Sequence, residues 1–238
     1  MSAAVDPLAK GYNERLFSGR GFRNYYHMAR YNWLRAQMAK RTGPFRVVEL
    51  GCFDGKALDH MPPVERYVGL DANWEGGLDL GRAALAGRPE VTLIETLDPE
   101  SLAQFPDKSF NVAVAMETME HIPEPARGRY LHQLARIVDG VILITVPNEK
   151  GPVFLAKHLV KRAKYGLDEP YSWGEVANAT LGRLDKVERI ETGHKGFDYA
   201  RLANELRQHF IVERVEGVPT TGLPASLSMT VGIVARTR

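Results

Sequence analysis

Apolar and polar positions alternate along the chain in two different patterns. In residues 22–38, apolar and aromatic side chains recur at three- and four-residue spacing, which predicts a helix that packs on the domain. From residue 45 onward the pattern changes to short apolar runs, separated by turn residues and by helical segments. The run at residues 141–144 is apolar without alternation, as expected of a strand buried on both faces of a sheet.

Strands and helices are predicted in alternation over most of the chain. The predicted strands are residues 45–50, 67–70, 91–95, 110–115, 141–146, 210–215 and 228–235. The predicted helical segments are residues 22–38, 56–61, 78–85, 99–104, 125–138 and 199–208, the last with Asp198 as its N-cap. Such alternation is typical of βαβ units, so we expect an α/β fold with a mostly parallel seven-stranded sheet. The last two strands are expected to form a hairpin.

Composition narrows the class of protein. The 238 residues are 44% hydrophobic and 25% charged, which is typical of a globular domain. The net charge is +2, so nucleic acid is not expected as a partner on charge grounds. Cys52 is the single cysteine and cannot form an internal disulfide, which fits a reducing compartment. We find neither a signal peptide nor the roughly 18 apolar residues that span a bilayer, and expect a cytoplasmic protein.

A turn containing two glycines follows the first predicted strand. Gly51 and Gly55 lie between that strand and a predicted helix, where glycine lets the backbone approach a ligand closely. The helix N-terminus behind the turn is expected to offer free N–H groups. Asp71 lies 20 residues after Gly51, at the end of the next predicted strand, a position that suits a carboxylate accepting hydrogen bonds from ribose hydroxyls. The pattern therefore predicts a nucleoside-containing cofactor.

The charge beside this turn distinguishes two classes of cofactor. Dinucleotide-binding folds use Gly-x-Gly-x-x-Gly to admit a pyrophosphate, whereas here the spacing is Gly51-x-x-x-Gly55 and Glu49 precedes the turn. A carboxylate is unfavourable for pyrophosphate but attracts a ligand that carries an amino group and a sulfonium. The sequence therefore favours S-adenosylmethionine over NAD. A nucleotide-dependent oxidoreductase and a non-catalytic cofactor-binding protein are the alternatives.

These segments resemble a known family. Residues 47–55 are similar to motif I of the class I S-adenosylmethionine-dependent methyltransferases, and residues 67–71 to their following acidic strand. Other segments similar to the small-molecule (type 11-like) branch are residues 105–112, 121–125 and 145–148. The resemblance covers residues 44–150 and implies a Rossmann-like fold. The cofactor-binding residues that it implies are Glu49, Gly51, Cys52, Gly55, Asp71, Ala72, Thr96, Leu97 and Met116.

A run of possible ligands follows the fourth predicted strand. Glu117, Glu120 and His121 lie where ligands bind in open α/β sheets, and could face one hard or borderline cation, with His194 as a fourth ligand. The pairing resembles the small-RNA 3′-terminal 2′-O-methyltransferases and the ubiquinone-pathway O-methyltransferases, which implies a divalent metal ion that assists methylation of a hydroxyl. Alternatively, His121 or His194 is a metal-free general base, or the run is structural.

Residues 151–196 interrupt the strand and helix alternation and are expected to form an inserted lid. Within them, Lys157, Lys161 and Lys164 lie on one face of a predicted helix, either solvated or binding an anionic acceptor such as a nucleotide sugar or a lipid-linked glycan. We expect a small-molecule or glycan-type acceptor, with N-methylation or RNA 2′-O-methylation as alternatives. A single domain is expected, made of an N-terminal helical cap (1–43), a cofactor-binding core (44–150), the lid (151–196) and a C-terminal helix and hairpin (197–238).

Overall fold

The computed structural model describes residues 22–165, 171–191 and 193–238. The helices are α1 (Phe22–Met38), α2 (Gly77–Ala84), α3 (Glu124–Ile137), α4 (Gly151–Tyr165), α5 (Trp173–Thr180) and α6 (Tyr199–His209). The strands are β1 (Arg46–Leu50), β2 (Arg66–Asp71), β3 (Val91–Glu95), β4 (Phe110–Met116), β5 (Val138–Pro147), β6 (Ile211–Val218) and β7 (Thr230–Arg236). Short 3₁₀ segments are Lys56–His60, Trp74–Gly76, Pro99–Gln104, Met119–His121, Leu184–Lys186 and Ala225–Leu227.

The strands form one mixed sheet in the order β3-β2-β1-β4-β5-β7-β6. Strands β1 to β5 are parallel, and β7 pairs antiparallel with both β5 and β6. The predicted Rossmann-like α/β fold with a mostly parallel seven-stranded sheet is therefore confirmed, as is the final hairpin. The strand order reverses direction between β1 and β4, so their carboxyl ends border the crevice in which such sheets bind ligands.

The two faces of the sheet are covered by two separate apolar layers. Successive residues of a strand point to opposite faces, so Val48 of β1 packs with α3 and α6, whereas Val47 packs with α1. Val47 and Val48 are both fully buried, which explains why the central strands are apolar without alternation. The fold therefore fixes the strand ends that carry the candidate site.

Two local predictions need correction. The segments predicted as short helices at 56–61 and 99–104 are 3₁₀ turns, because each is too short to establish an α-helical hydrogen-bond ladder. Val138, predicted as the last residue of a helix, is the first residue of β5, where it pairs with Phe110 of β4. The β-branched side chain of Val138 suits the sheet, and tertiary pairing decides its conformation.

The inserted residues 151–196 carry their own small apolar cluster. Phe154 of α4 packs there with Val176 of α5 and with Leu184. Residues 1–21 of the expected N-terminal cap and the side chain of Lys164 lie outside what the structure describes. None of the helices in the described ranges is long and apolar enough to cross a membrane.

Candidate functional site

The turn after β1 is built from residues with left-handed backbone conformations. Gly51, Phe53 and Gly55 have φ values of 69°, 50° and 77°. A Cβ atom on Gly51 would lie 2.2 Å from Oγ1 of Thr118, which is part of the turn after β4. Gly51 is therefore required both by its backbone conformation and by this contact. The first turn and the turn that carries Glu117, Glu120 and His121 touch each other at this point.

The amides of this first turn correct one expectation. The amide of Gly51 donates to the carbonyl of Leu70 at 2.7 Å, that of Phe53 to Oδ2 of Asp71 at 2.9 Å, and that of Lys56 to Oδ1 of Asp54 at 3.2 Å. The expectation of free N–H groups is therefore wrong for these three amides. The turn closes tightly on β2 and continues into a 3₁₀ segment, so these three donors are already satisfied within the chain.

Asp71 ends β2 and organises the residues around it. Its Oδ2 accepts the amide of Phe53 and its Oδ1 accepts the amide of Asn73, both at 2.9 Å. The amide of Thr96 donates to the carbonyl of Asp71 at 2.8 Å, which places the end of β3 beside it. Each carboxylate oxygen has a second lone pair, and the residue is partly exposed, so Asp71 can accept further hydrogen bonds from a ligand.

Glu49 is buried in β1, with only 2% of its surface exposed. The hydroxyl of Tyr67 donates to Oε2 of Glu49 at 2.5 Å. Burial raises the pKa of Glu49 to about 8, and the hydrogen bond from Tyr67 opposes this rise, while Asp54 and Asp71 add to it. A cation placed beside Glu49 would favour its ionised form, so the residue can respond to a positively charged ligand.

The other residues predicted to bind the cofactor differ in exposure. Leu97 is 78% exposed beyond β3, and Ala72 is exposed beyond β2. Met116 and Cys52 are buried. A Cβ atom on Gly69 would lie 2.6 Å from Sγ of Cys52, so the thiol packs against β2, and burial raises its pKa.

Three of the predicted ligands come together after β4. One ligand atom each from Glu120, His121 and His194 lies within 4.8 Å of the others. Oε1 of Glu120 lies 3.9 Å from Nε2 of His121 and 3.8 Å from Nε2 of His194. The two imidazole centroids are 5.0 Å apart. We call Glu120, His121 and His194 the donor set.

The charge states of the donor set follow from burial. Glu120 is 0% exposed, and neither oxygen of its carboxylate has a hydrogen-bond partner. Burial and the neighbouring Glu117 carboxylate raise its pKa well above the usual value. Burial, followed by His121 and Lys157, lowers the pKa of His194 to about 3, so its imidazole is neutral at neutral pH. A buried carboxylate without a partner therefore faces a neutral imidazole, a combination suited to a proton or a cation.

Glu117 lies outside the donor set. It has a φ of 56°, and its amide donates to the carbonyl of Thr145 at 2.8 Å, so its backbone continues the pairing of β4 with β5. The donor set begins only with the 3₁₀ turn Met119–His121. Burial raises the pKa of the Glu117 carboxyl, whereas Arg30 and a hydrogen bond from Thr145 oppose the rise.

Sequence reasoning missed Glu149, which lies beside His194. Its Oε1 accepts a hydrogen bond from Nζ of Lys157 at 2.5 Å and lies 3.8 Å from Nδ1 of His194. Glu149 is buried and follows directly after β5. The rule that ligands bind beyond the carboxyl ends of parallel strands could have identified it.

A cavity of about 340 Å³ lies beside the start of α3, and none of Glu120, His121 and His194 lines it. Ile122, the residue after His121, forms part of its wall, together with Val187, Arg189 and Phe197. Its volume is within the range of small-molecule pockets. The cavity lies between the start of α3, the insertion and the start of α6.

Comparison with known proteins identifies the family. A family model for a methyltransferase domain matches residues 14–210. A ubiquinone biosynthesis O-methyltransferase of Neisseria meningitidis is 29% identical over 170 residues, which cover 66% of this chain and 69% of that protein.

Solved structures show the same fold. A Pyrococcus horikoshii protein has a TM-score of 0.62 at 14% identity and covers 99% of this chain and 100% of its own. An S-adenosylmethionine-dependent methyltransferase from Mesorhizobium loti has a TM-score of 0.57 at 20% identity, over 87% of this chain and 97% of its own.

The family match spans most of the chain, and it sets aside the alternatives of an oxidoreductase and of a non-catalytic protein. The match to this family agrees with the structure, in which the carboxyl ends of the parallel strands carry the glycine turn after β1, Asp71 at the end of β2, and the donor set after β4. The chain belongs to the methyltransferase domain family and is a class I S-adenosylmethionine-dependent methyltransferase.

Proposed function

We propose that this enzyme methylates a hydroxyl group of a small-molecule or glycan-type acceptor at the donor set. The observation that carries the proposal is the position of Glu120, a buried carboxylate without a hydrogen-bond partner, next to His121 and His194. The similarity to a ubiquinone biosynthesis O-methyltransferase supports a hydroxyl acceptor.

The cofactor occupies the first turn in this proposal. The carboxylate of Asp71 accepts hydrogen bonds from the ribose hydroxyls, because it ends β2 with lone pairs still available. Glu49 ionises next to the amino group and the sulfonium. Thr96 and the exposed side chain of Leu97 lie along the adenine, and Met116 lies beside the methionine part. The rest of the cofactor site is formed by the backbone of Gly51, Cys52, Gly55 and Ala72.

The chemistry balances without a further reactant. The bond between the sulfonium and the methyl group breaks, and a bond forms between the methyl carbon and the acceptor oxygen. The hydroxyl proton leaves to an imidazole of the donor set and then to solvent, to which His121 is partly exposed. The protein contributes by aligning the oxygen with the methyl carbon and by holding the proton acceptor close to it.

A divalent metal ion fits the donor set. Glu120, His121 and His194 would hold it, since carboxylates and imidazoles are ligands that such ions accept. When bound, the ion would lower the pKa of the acceptor hydroxyl. Without it, His121 would accept the hydroxyl proton, because a pKa of about 3 makes His194 a weak base.

The acceptor enters from the side of the insertion in this proposal. Lys157 and Lys161 lie close enough to His194 to lower its pKa, and such a positive potential favours an acceptor with an anionic group.

Methyl transfer from a labelled cofactor tests the proposal. The acceptors are a catechol, a dihydroxybenzoate, a nucleotide sugar and a short RNA, each with and without EDTA. We expect label on a hydroxyl of a small-molecule acceptor, with loss of turnover in EDTA. Label on nitrogen alone, or on RNA alone, would contradict the proposal. Full activity in EDTA would refute the metal ion and leave His121 as the proton acceptor.

A further inference from the structure

The guanidinium of Arg189 organises the segment that carries His194. Its Nη1 donates to the carbonyls of Ile190 at 2.5 Å, of Gly193 at 2.6 Å and of Lys195 at 3.0 Å. These three carbonyls lie on both sides of His194 in the sequence. Together with the backbone hydrogen bonds between Ile190, Gly193 and Lys195, this side chain holds the described residues 190, 191 and 193–195, which we call the His194 segment.

The same guanidinium reaches across to the other half of the donor set. Its Nη2 donates to the carbonyl of Glu120 at 2.5 Å, although the two residues are 69 positions apart. The guanidinium also lies over the ring of Phe197, 5.4 Å from its centroid. Arg189 is thus a direct connection between the His194 segment and the turn that carries Glu120 and His121.

This connection matters because the His194 segment has no regular secondary structure in its described residues. Loop positions depend on side-chain contacts more than positions in strands do. A planar guanidinium with five donors can bind several carbonyls at once, which an ammonium group cannot reproduce. Arg189 therefore bonds to both of the segments whose His194 and Glu120 side chains lie 3.8 Å apart.

We propose that Arg189 is a positioning residue for the reaction: it holds His194 against Glu120 and His121 without touching the reacting atoms. The proposal rests on the proposed function of the donor set. Replacement of Arg189 should leave the cofactor turn intact, since among the described residues Arg189 makes no hydrogen bond to β1, β2 or the turn between them.

Arg127 provides a matched control. It is only 6% exposed, donates to both carboxylate oxygens of Glu205 at 2.7 and 2.9 Å, and donates to the carbonyl of Ile122 at 2.9 Å. It therefore shares the guanidinium and the bond to a carbonyl of the turn after β4, although it is more buried than Arg189. It lacks hydrogen bonds to the His194 segment among the described residues. A purely structural role of Arg189 predicts that the two positions behave alike.

The experiment compares Arg189→Lys with Arg127→Lys in the full chain. We measure the melting temperature, the affinity for S-adenosylhomocysteine, kcat and KM, and the nuclear Overhauser effect (NOE) between the His121 and His194 imidazoles without metal or substrate. For Arg189→Lys we expect loss of this NOE and a fall in kcat of about 10- to 100-fold, with cofactor affinity within about twofold. Arg127→Lys should keep the NOE and keep kcat within about threefold.

Two results would overturn the positioning role. One is an unchanged NOE and kcat in Arg189→Lys, and the other is an equal loss of both in Arg127→Lys. If neither the wild type nor either variant transfers methyl groups to any hydroxyl, the proposed function fails. The NOE then still tests whether Arg189 positions His194. Should Arg189→Lys not fold, absence of the imidazole NOE in the wild-type protein would overturn the proposal.

Discussion

The first turn and the donor set are built over very different distances in the sequence. The turn is local: Gly51 and Phe53 follow β1 directly, Asp71 ends β2, and the amide of Phe53 reaches the carboxylate of Asp71 across 18 positions. The donor set joins a turn after β4 to a loop before α6, through a bond between Arg189 and Glu120 across 69 positions. A local site is encoded in one stretch, whereas a distributed site depends on the folded chain.

The two regions are adjacent despite this difference. Thr118 packs against Gly51, so the turn that precedes the donor set forms one wall of the first turn. Substitutions can therefore test whether the regions act separately, as cofactor site and acceptor site, or as one unit.

The largest expected effect is at His194. His194→Ala should lower kcat by about 100-fold or more, because it removes a neutral imidazole from the acceptor side. The affinity for S-adenosylhomocysteine, measured by calorimetry, should not change. His132→Ala, at an exposed position of α3, is the control and should keep full activity. A parallel loss of cofactor affinity in His194→Ala would show that the two regions are not separable.

Asp71→Ala should produce the opposite pattern. It should weaken binding of S-adenosylhomocysteine by about 1–3 kcal/mol, because hydrogen bonds to a charged carboxylate are lost. Asp79→Ala, which removes an exposed carboxylate bonded to Asn73 and Arg82 in the same region, is the control. Equal calorimetric affinities for the wild type and Asp71→Ala would refute the ribose role.

Gly51→Ala tests the contact between the two regions. A φ of 69° and the close approach of Thr118 should lower the free energy of unfolding by about 1–3 kcal/mol, measured in urea. The double variant Gly51→Ala/Thr118→Ala should lose less than the sum of the single variants, because the nearest clash is relieved. Strict additivity would mean that Thr118 does not restrict Gly51.

The smallest effect concerns an ion pair within residues 151–196. Nζ of Lys195 lies 2.9 Å from Oε1 of Glu175, and this pairing lowers the pKa of Glu175 to about 2. Glu175→Gln keeps the capping box of α5 and removes the charge, so the melting temperature should fall by about 2 °C at pH 7. Since the pKa is depressed in the folded state, the stabilisation exists above pH 4.5 and is lost as the pH falls toward 2.

The control for this variant is Glu188→Gln, at the other and more exposed partner of Lys195. It should have no measurable effect, because solvent screens the pair. A difference between Glu175→Gln and the wild type that is the same at pH 3 and pH 7 would contradict an ionic origin.

The sequence predicted the cofactor turn after β1 more completely than the donor set and the residues around it. Strand positions were correct to within a few residues, because central strands such as β1 are buried on both faces and are therefore continuously apolar. The conformation of Val138 depends on its pairing with Phe110, and the amides of the first turn depend on the acceptors that β2 provides. Neither partner is visible in a local pattern.

The residues around the donor set could be predicted only in part from local sequence patterns. His194 was found through a family resemblance, whereas Glu149 and Arg189 were missed, because their partners lie 45 and 69 positions away. Glu117 was grouped with Glu120 because of its spacing in the sequence. Glu117 lies close enough to raise the pKa of Glu120, but its backbone is left-handed and its amide bonds to β5, so the cluster formed with His121 and His194 contains Glu120 and not Glu117.

One measurement tests the central claim most directly, namely that distant residues form one cation-binding donor set beside the cofactor turn. Crystals grown with S-adenosylhomocysteine and Mn²⁺ would give an anomalous difference map at the manganese absorption edge. We predict one peak in contact with Glu120, His121 and His194, with the nucleoside at Asp71. A map with no peak among these three side chains, or with manganese bound elsewhere, would contradict the claim.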